Sequence, residues 1–133
     1  GTGVAPFFSI LHTEEVWQRF KRIVLVHAVR TEADLRYQEL VQALTEKYAD
    51  RFRFQAFVSR EVCPGTITGR VPAAIEDGSL EDALGLQLDT VRSQIMLCGN
   101  PDMVKDCTEI LKARGFTKNR RRTPGHITVE NYW

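Results

Sequence analysis

The stretch IVLVHAV at residues 23–29 decides the fold class of this chain. It is a continuous apolar, β-branched run, which is typical of a strand buried on both faces of a parallel sheet. Runs of similar character follow at 52–58 and 94–98, and segments with helical periodicity lie between them. Alternating strands and helices indicate βαβ units with right-handed crossovers. The sequence therefore predicts an α/β fold of three layers, in which helices cover both faces of a parallel sheet.

Caps and turn residues predict the other elements. Short helices are expected at 6–11, around 16–20 after Thr13, at 71–75 and from 79 to about 85. Thr31 to Asp34 has the spacing of a capping box, which predicts a helix that continues through Tyr48. A longer helix is expected between Pro101 and Gly115, and the last strand at 126–133. Proline and glycine predict a loop at 63–70.

Composition indicates one ordinary globular domain spanning residues 1–133. The chain has 43% hydrophobic and 26% charged residues and a net charge of +1, so its charge does not point to nucleic acid or to a membrane surface. No apolar run approaches the roughly 20 residues that a bilayer span needs. Three cysteines without paired spacing argue against a disulfide framework and for a reducing, cytoplasmic location. No spacing typical of metal ligands occurs.

The chain opens on Gly1, in what reads as a turn from a strand into a helix with no strand before it. We therefore expect it to be a piece of a longer protein that lacks the first strand of its own sheet. The absence of a central strand is expected to leave its two neighbours with unpaired backbone groups.

The opening residues GTGVAP (1–6) are a candidate phosphate site. Glycine lets a ligand approach the backbone closely, and Pro6 suits the first turn of a helix. A helix N-terminus offers free N–H groups and a partial positive charge, which favour an anion. The same pattern also fits an ordinary tight turn. Gly99, Asn100 and Pro101 repeat it after the strand at 94–98.

Ligands of parallel α/β sheets bind beyond the carboxyl ends of the strands. Arg30, Ser59–Arg60 and Cys98–Asn100 directly follow three strands, and Gly1–Gly3 would join them if a strand precedes it. Arg70 lies in the loop after the second of these strands. Each arginine alone could be a solvated loop residue, but the three together favour a doubly charged phosphate, to which arginine makes paired hydrogen bonds.

These residues resemble a known family. GTGVAPF (1–7), VLVHAVR (24–30), VSRE (58–61), TGRVPA (68–73), MLCGNPDMV (96–104) and RRRTPGHITVENYW (120–133) are similar, in this order, to the C-terminal NADP-binding domain of bacterial ferredoxin–NADP reductase, also called flavodoxin reductase. The resemblance covers the whole chain. It implies a two-domain flavoenzyme that passes a hydride between NADPH and FAD and exchanges electrons with ferredoxin or flavodoxin. The FAD-binding domain is not in this chain, so we expect the fragment alone to be inactive.

The resemblance also implies roles for particular residues. Gly1, Thr2, Gly3 and Pro6 would line the pyrophosphate and nicotinamide side. From the residues alone, the turn at Gly99, Asn100 and Pro101 could hold a pyrophosphate together with that opening turn. Arg30, Arg60 and Arg70 would hold the 2′-phosphate with help from Ser59. Cys98 would lie near the reacting carbon of the nicotinamide, with Glu130 in the active-site segment. Tyr132 would stack on the flavin, and Trp133 would lie against the adenine end of FAD.

Other interpretations stay open from the residues alone. His27, Cys63 and Cys107 read as packed core or loop residues, and Cys98 could be either structural or functional. The run Arg120–Arg122 fits a solvated surface or a patch that steers an acidic electron carrier. Tyr132 and Trp133 could simply cap the core. The alternative functions are an NADH-dependent reductase component of an oxygenase and a nucleotide-binding module without redox activity.

Overall fold

A computed structural model describes residues 5–35, 38–98, 101–120, 122–123 and 125–130, with only the backbone of Ala5, Pro6 and Glu130. The strands are β1 (Arg22–Val29), β2 (Phe52–Val58), β3 (Thr66–Ile67), β4 (Ser93–Cys98) and β5 (Ile127–Glu130). The helices are α1 (Ala5–Leu11), α2 (Glu14–Arg19), α3 (Gln38–Tyr48), α4 (Val71–Asp77), α5 (Ser79–Leu84) and α6 (Pro101–Ala113). None of these helices is long and apolar enough to cross a membrane.

The five strands form one sheet in the order β3-β2-β1-β4-β5, and every pairing is parallel. The β1–β2 register runs from Ile23 opposite Phe52 to Val29 opposite Val58. The β1–β4 register runs from Arg22 opposite Ser93 to His27 opposite Cys98. The α/β class with an all-parallel sheet is therefore confirmed.

Two apolar clusters cover the two faces of the sheet, which confirms the three layers. Because side chains alternate along a strand, Val24 and Val26 of β1 join one cluster, whereas Ile23 and Leu25 join the other. The first cluster packs the sheet against α4, α5 and α6, and the second packs it against α1, α2 and α3. Both clusters are continuous with the buried middle of β1, as the run of apolar residues predicts.

The expectation of unpaired neighbours around a missing strand is wrong for the chain as it stands. Among the residues that the structure describes, β2, β1 and β4 are each paired on both sides. The ladder between β1 and β4 closes because both strands present apolar residues to both clusters, so direct pairing satisfies their backbone and buries their side chains together.

The third helix begins later than expected. Asp34 Oδ2 accepts hydrogen bonds from the Thr31 hydroxyl at 3.1 Å and from the Thr31 N–H at 3.4 Å. This capping closes only a 3₁₀ turn at Glu32–Asp34, because Leu35 is extended with φ −75° and ψ 108°. The helix α3 starts at Gln38. The spacing of capping residues is a local signal. Here these residues cap a single 3₁₀ turn and not the first turn of a long helix.

Two further expectations need correction. The segment 63–70 is not wholly a loop, because Thr66–Ile67 forms β3 against Ala56 and Phe57 of β2. Thr13 occupies the N-cap position of α2 but makes no side-chain capping bond there. Its hydroxyl instead donates to the carbonyl of Ile10, 2.7 Å away, at the end of α1.

Arg51 holds α2 to the start of β2. Its guanidinium donates to the carbonyl oxygens of Trp17, Phe20 (2.9 Å) and Lys21 (3.1 Å), and it lies 5.4 Å from the centre of the Trp17 ring. The last carbonyls of a helix have no partner within the helix. Arg51 therefore supplies partners that α2 cannot supply itself.

We expect Arg51→Ala to lower the free energy of unfolding by about 1–3 kcal/mol, because several carbonyl oxygens lose a charged donor. Arg51→Lys should retain only part of this stabilisation, since an ammonium does not reproduce the planar fork of donors. Urea unfolding measures both, with Lys105→Ala on the exposed side of α6 as the control. An Arg51→Ala midpoint equal to that of the control would contradict this role.

Candidate functional site

The carboxyl ends of β1, β2 and β4 lie at one edge of the sheet, because the three strands are parallel. Two backbone hydrogen bonds extend the β1–β2 ladder past that edge: Ser59 N–H donates to Val29 at 3.0 Å, and Arg60 N–H donates to Arg30 at 2.9 Å. The structure therefore places Arg30 and Arg60 on neighbouring backbone segments. Both side chains and that of Ser59 are exposed, so the edge presents two cations and a hydroxyl to solvent.

Arg70 lies past the carboxyl end of β3, the strand beside β2 at one side of the sheet. It follows β3, which pairs with the carboxyl half of β2, and it occupies the N-cap position of α4. Its guanidinium lies 3.8 Å from a carboxylate oxygen of Asp106 on α6. Both side chains are about half exposed or more, so this ion pair is weak and open to competition by another anion.

Arg70 and Asp106 border an open groove of about 310 Å³ between α4 and α6, which is also lined by Pro72, Ala73, Glu76, Glu109 and Ile110. Three of these lining residues are acidic, so the groove does not match the anion predicted for Arg70. Neither Arg30 nor Arg60 lines this groove.

Cys98 ends β4 at the same edge of the sheet, where its backbone pairs with His27 on one side and Glu130 on the other. Its side chain is only 2% exposed and belongs to the cluster that contains Phe7 and Phe8 of α1. The strand end is thus where the sequence predicted it, and the role of the thiol beside a nicotinamide stays a prediction. The backbone of Pro101 begins α6 three residues later.

Several predicted site residues lie outside the described part of the chain, so their roles stay predictions. These residues are Gly1, Thr2, Gly3, Gly99, Asn100, Tyr132 and Trp133. For Pro6 and Glu130 the structure gives only the backbone: Pro6 is the second residue of α1, and Glu130 ends β5.

Sequence reasoning assigned no role to the carboxylates that link the two arginine loops. The Glu32 N–H donates to Glu61 Oε1 at 2.6 Å. The Cys63 thiol donates to Glu32 Oε2 at 3.7 Å. Burial, followed by the neighbouring Glu61 and Glu32 carboxylates, raises the pKa of that thiol. The partners are 29 and 31 residues apart, and no local spacing signals such contacts.

The remaining thiol and the buried histidine are core residues, as expected. Cys107 is fully buried, and burial raises the pKa of its thiol to about 12. His27 is 2% exposed in the middle of the sheet, and burial lowers the pKa of its imidazole to about 4. His27 is therefore neutral at physiological pH.

A doubly covered parallel sheet with cationic loops beyond its carboxyl edge defines an α/β nucleotide-binding domain. Residues 1–109 match the model of the family described as "Oxidoreductase NAD-binding domain", and the chain belongs to this family.

The proteins most relevant for comparison are all named as ferredoxin or flavodoxin/ferredoxin–NADP reductases. The chain is 50% identical over its full length to a flavodoxin/ferredoxin–NADP reductase of Shigella flexneri and 49% identical to that of Escherichia coli K12, and in each case it covers 54% of that protein. It also resembles the crystal structure of a ferredoxin NADP⁺ reductase from Neisseria gonorrhoeae with bound FAD and NADP. That likeness has a TM-score of 0.82 and 36% identity, and it covers all of this chain and 53% of the other. The chain thus spans about half the length of these relatives.

The buried imidazole of His27 makes the stability of the domain depend on pH. The unfolded chain takes up a proton near the ordinary pKa of 6.5, whereas the folded chain resists protonation down to about 4. The free energy of unfolding should therefore fall as the pH is lowered from about 6.5 to 4, by up to roughly 3 kcal/mol from this group. Urea unfolding at several pH values measures the slope. His27→Gln should flatten it in this window, and an unchanged slope would exclude His27 as its source.

Proposed function

We propose that residues 1–133 are the NADP-binding domain of a two-domain flavoenzyme that transfers a hydride between NADPH and FAD. The observation that carries the proposal is the placement of Arg30 and Arg60 on adjacent backbone at the carboxyl edge of the sheet. The names of the relatives, which include NADP in each case, support the same substrate.

The donor set at this edge fits a phosphate ester. Two guanidinium groups and the hydroxyl of Ser59 offer charged, directional donors to one anion, and arginine matches the geometry of phosphate oxygens. Arg70 would add a third cation by exchanging its weak pair with Asp106 for the phosphate. These residues would distinguish NADP from NAD, because only NADP carries the 2′-phosphate.

The reduced nicotinamide of NADPH would supply the hydride when it is bound. Cys98 would lie against it at the end of β4, where its burial with Phe7 and Phe8 helps to keep water away from that part of the edge. Gly1, Thr2, Gly3 and Pro6 would line the pyrophosphate and nicotinamide from one side, and the turn from Gly99 to Pro101 would line them from the other. Glu130, which pairs with Cys98 through the backbone, belongs to the active-site segment in this proposal.

FAD would be held mainly by a separate domain of the same protein. Tyr132 would stack on its flavin ring, and Trp133 would lie at its adenine end, so the last residues of the chain would complete the site from the NADP side. On this proposal the present chain binds NADP but needs the FAD-binding domain for catalysis.

The electron carrier in this proposal is ferredoxin or flavodoxin. Lys118, Arg120 and Arg122 are exposed on one loop, where Arg120 and Thr123 exchange backbone hydrogen bonds of 2.9 and 3.2 Å. Such a fixed cationic turn would speed the encounter with an acidic carrier. We place the protein in the cytoplasm, where its three free cysteines match a reducing environment.

We expect Arg60→Ala to weaken NADP⁺ binding by roughly ten- to a hundred-fold, because one charged hydrogen-bonding group to the phosphate is lost. NAD⁺ affinity should change little. Isothermal titration of both nucleotides measures the effect, and Arg92→Ala, at the amino end of β4, is the matched control. Equal losses for the two nucleotides would mean that Arg60 does not recognise the 2′-phosphate, and equal affinities in the wild type would favour an NADH-linked reductase.

Catalysis is tested by adding an FAD-binding domain to this chain. We expect a fusion of this chain to the remaining part of the Neisseria gonorrhoeae relative, whose structure holds FAD, to reduce ferricyanide with NADPH, and the chain alone to show no such activity. Retained flavin and NADP⁺ binding without NADPH oxidation would instead favour a nucleotide-binding module without redox activity.

A further inference from the structure

The loops that follow β1 and β2 are joined by side chains as well as by backbone. We call Glu32, Glu61 and Cys63 the loop clamp. Glu32 is its centre, since its N–H donates to the Glu61 carboxylate at 2.6 Å and its own carboxylate accepts from the Cys63 thiol at 3.7 Å. Glu32 belongs to the first loop, and the two residues that hold it belong to the second.

The clamp residues are close to the two arginines in the sequence. Glu61 follows Arg60 in the chain, and Glu32 is two residues after Arg30. The backbone bond from Arg60 to Arg30 fixes only the start of each loop. The hydrogen bond from Glu32 to Glu61 ties the loops together again one or two residues beyond the arginines.

The charge of Glu61 has the wrong sign for a residue that binds phosphate. A carboxylate next to Arg60 repels a phosphate, and in a role that was only electrostatic it would weaken binding of the nucleotide. The hydrogen bond that Glu61 accepts from a backbone N–H suggests a different role. It orders the two loops before the nucleotide arrives, so that less conformational entropy is lost when their arginines bind the phosphate.

The first loop has hydrogen bonds of its own that can transmit this restraint. Asp34 accepts two hydrogen bonds from Thr31 and closes the 3₁₀ turn that contains Glu32. Holding the N–H of Glu32 therefore holds the whole turn, which begins immediately after Arg30. The thiol of Cys63, only 6% exposed, anchors the same turn from the second loop.

We propose that Glu61 is a positioning residue that sets the preference for a 2′-phosphorylated nucleotide by holding the Arg30 and Arg60 loops in register. The inference rests on the proposed function of the edge as an NADP site. Glu61 touches no part of the ligand in this proposal and acts through the backbone of Glu32.

The test compares Glu61→Ala, Glu61→Gln and the wild-type chain, with Glu46→Ala on the exposed side of α3 as a control that removes the same charge. NADP⁺ and NAD⁺ affinities are measured by titration, and exchange of the Glu32 amide proton is measured by NMR. Glu61→Gln keeps an acceptor oxygen without the charge. Glu61→Thr, whose side chain is too short to reach the Glu32 N–H, takes the place of Glu61→Ala if that variant folds poorly.

We expect Glu61→Ala to reduce the ratio of NADP⁺ to NAD⁺ affinity by about ten-fold, on the scale of one lost hydrogen bond to a charged group, and to speed exchange of the Glu32 amide. Glu61→Gln should keep the wild-type ratio or exceed it, with a protected amide. The control should change neither quantity.

An affinity ratio that rises or stays constant in Glu61→Ala would overturn the inference, because the carboxylate would then only repel phosphate or have no effect. An unprotected Glu32 amide in the wild type would also overturn it. A different result would count against the proposed function: a wild-type chain with no preference for NADP⁺, in which Glu61 nevertheless protects the Glu32 amide from exchange. The clamp would then be a purely structural link.

Discussion

The parallel pairing of β1 with both of its neighbours is the constraint on which the rest of the molecule depends. Antiparallel neighbours would send alternate strand ends to opposite edges, whereas parallel neighbours send every carboxyl end to the same one. Val29, Val58 and Cys98 therefore end their strands at one edge. Residues far apart in the sequence meet there without any further signal, and Arg30 and Arg60 are the clearest example.

Burial on both faces leaves the edge as the place for polar chemistry. Side chains from β1 enter an apolar cluster on either side, so the middle of the strand accepts polar groups only at a cost in free energy. His27 shows that cost, because its imidazole stays neutral in the sheet. The polar residues proposed to bind a nucleotide lie in loops, whose backbone is held by the hydrogen-bonded strands that they follow.

Carboxylates accompany each of the three arginines, so these loops carry less net positive charge than the arginines alone would give them. Asp106 lies beside Arg70, and Glu61 and Glu32 lie beside the loops of Arg60 and Arg30. Carboxylates of this kind reduce repulsion among the guanidinium groups when no anion is bound. They also limit how strongly the edge attracts anions in general, so that in the proposed function binding would depend on the fit of a particular phosphate to arginines held in place.

The sequence by itself determined the elements whose signals are local. The apolar runs of β1 and β2, the proline that begins α6 and the glycines after α4 and α5 act within a few residues, and the structure has these elements where they were predicted. It also indicated which residues follow the strand ends, since topology alone brings those residues together.

Tertiary structure alone decided the features that depend on contacts between distant segments. The direct pairing of β1 with β4, the strand β3, the late start of α3 and the partners of Arg51, Glu61 and Arg70 carried no usable signal in the sequence. Each is set by packing and hydrogen bonding between chain segments whose separation in space is fixed only after the sheet has formed. A capping box or a glycine-rich loop specifies what a short segment can do, and the neighbours that it meets decide which of those possibilities is realised.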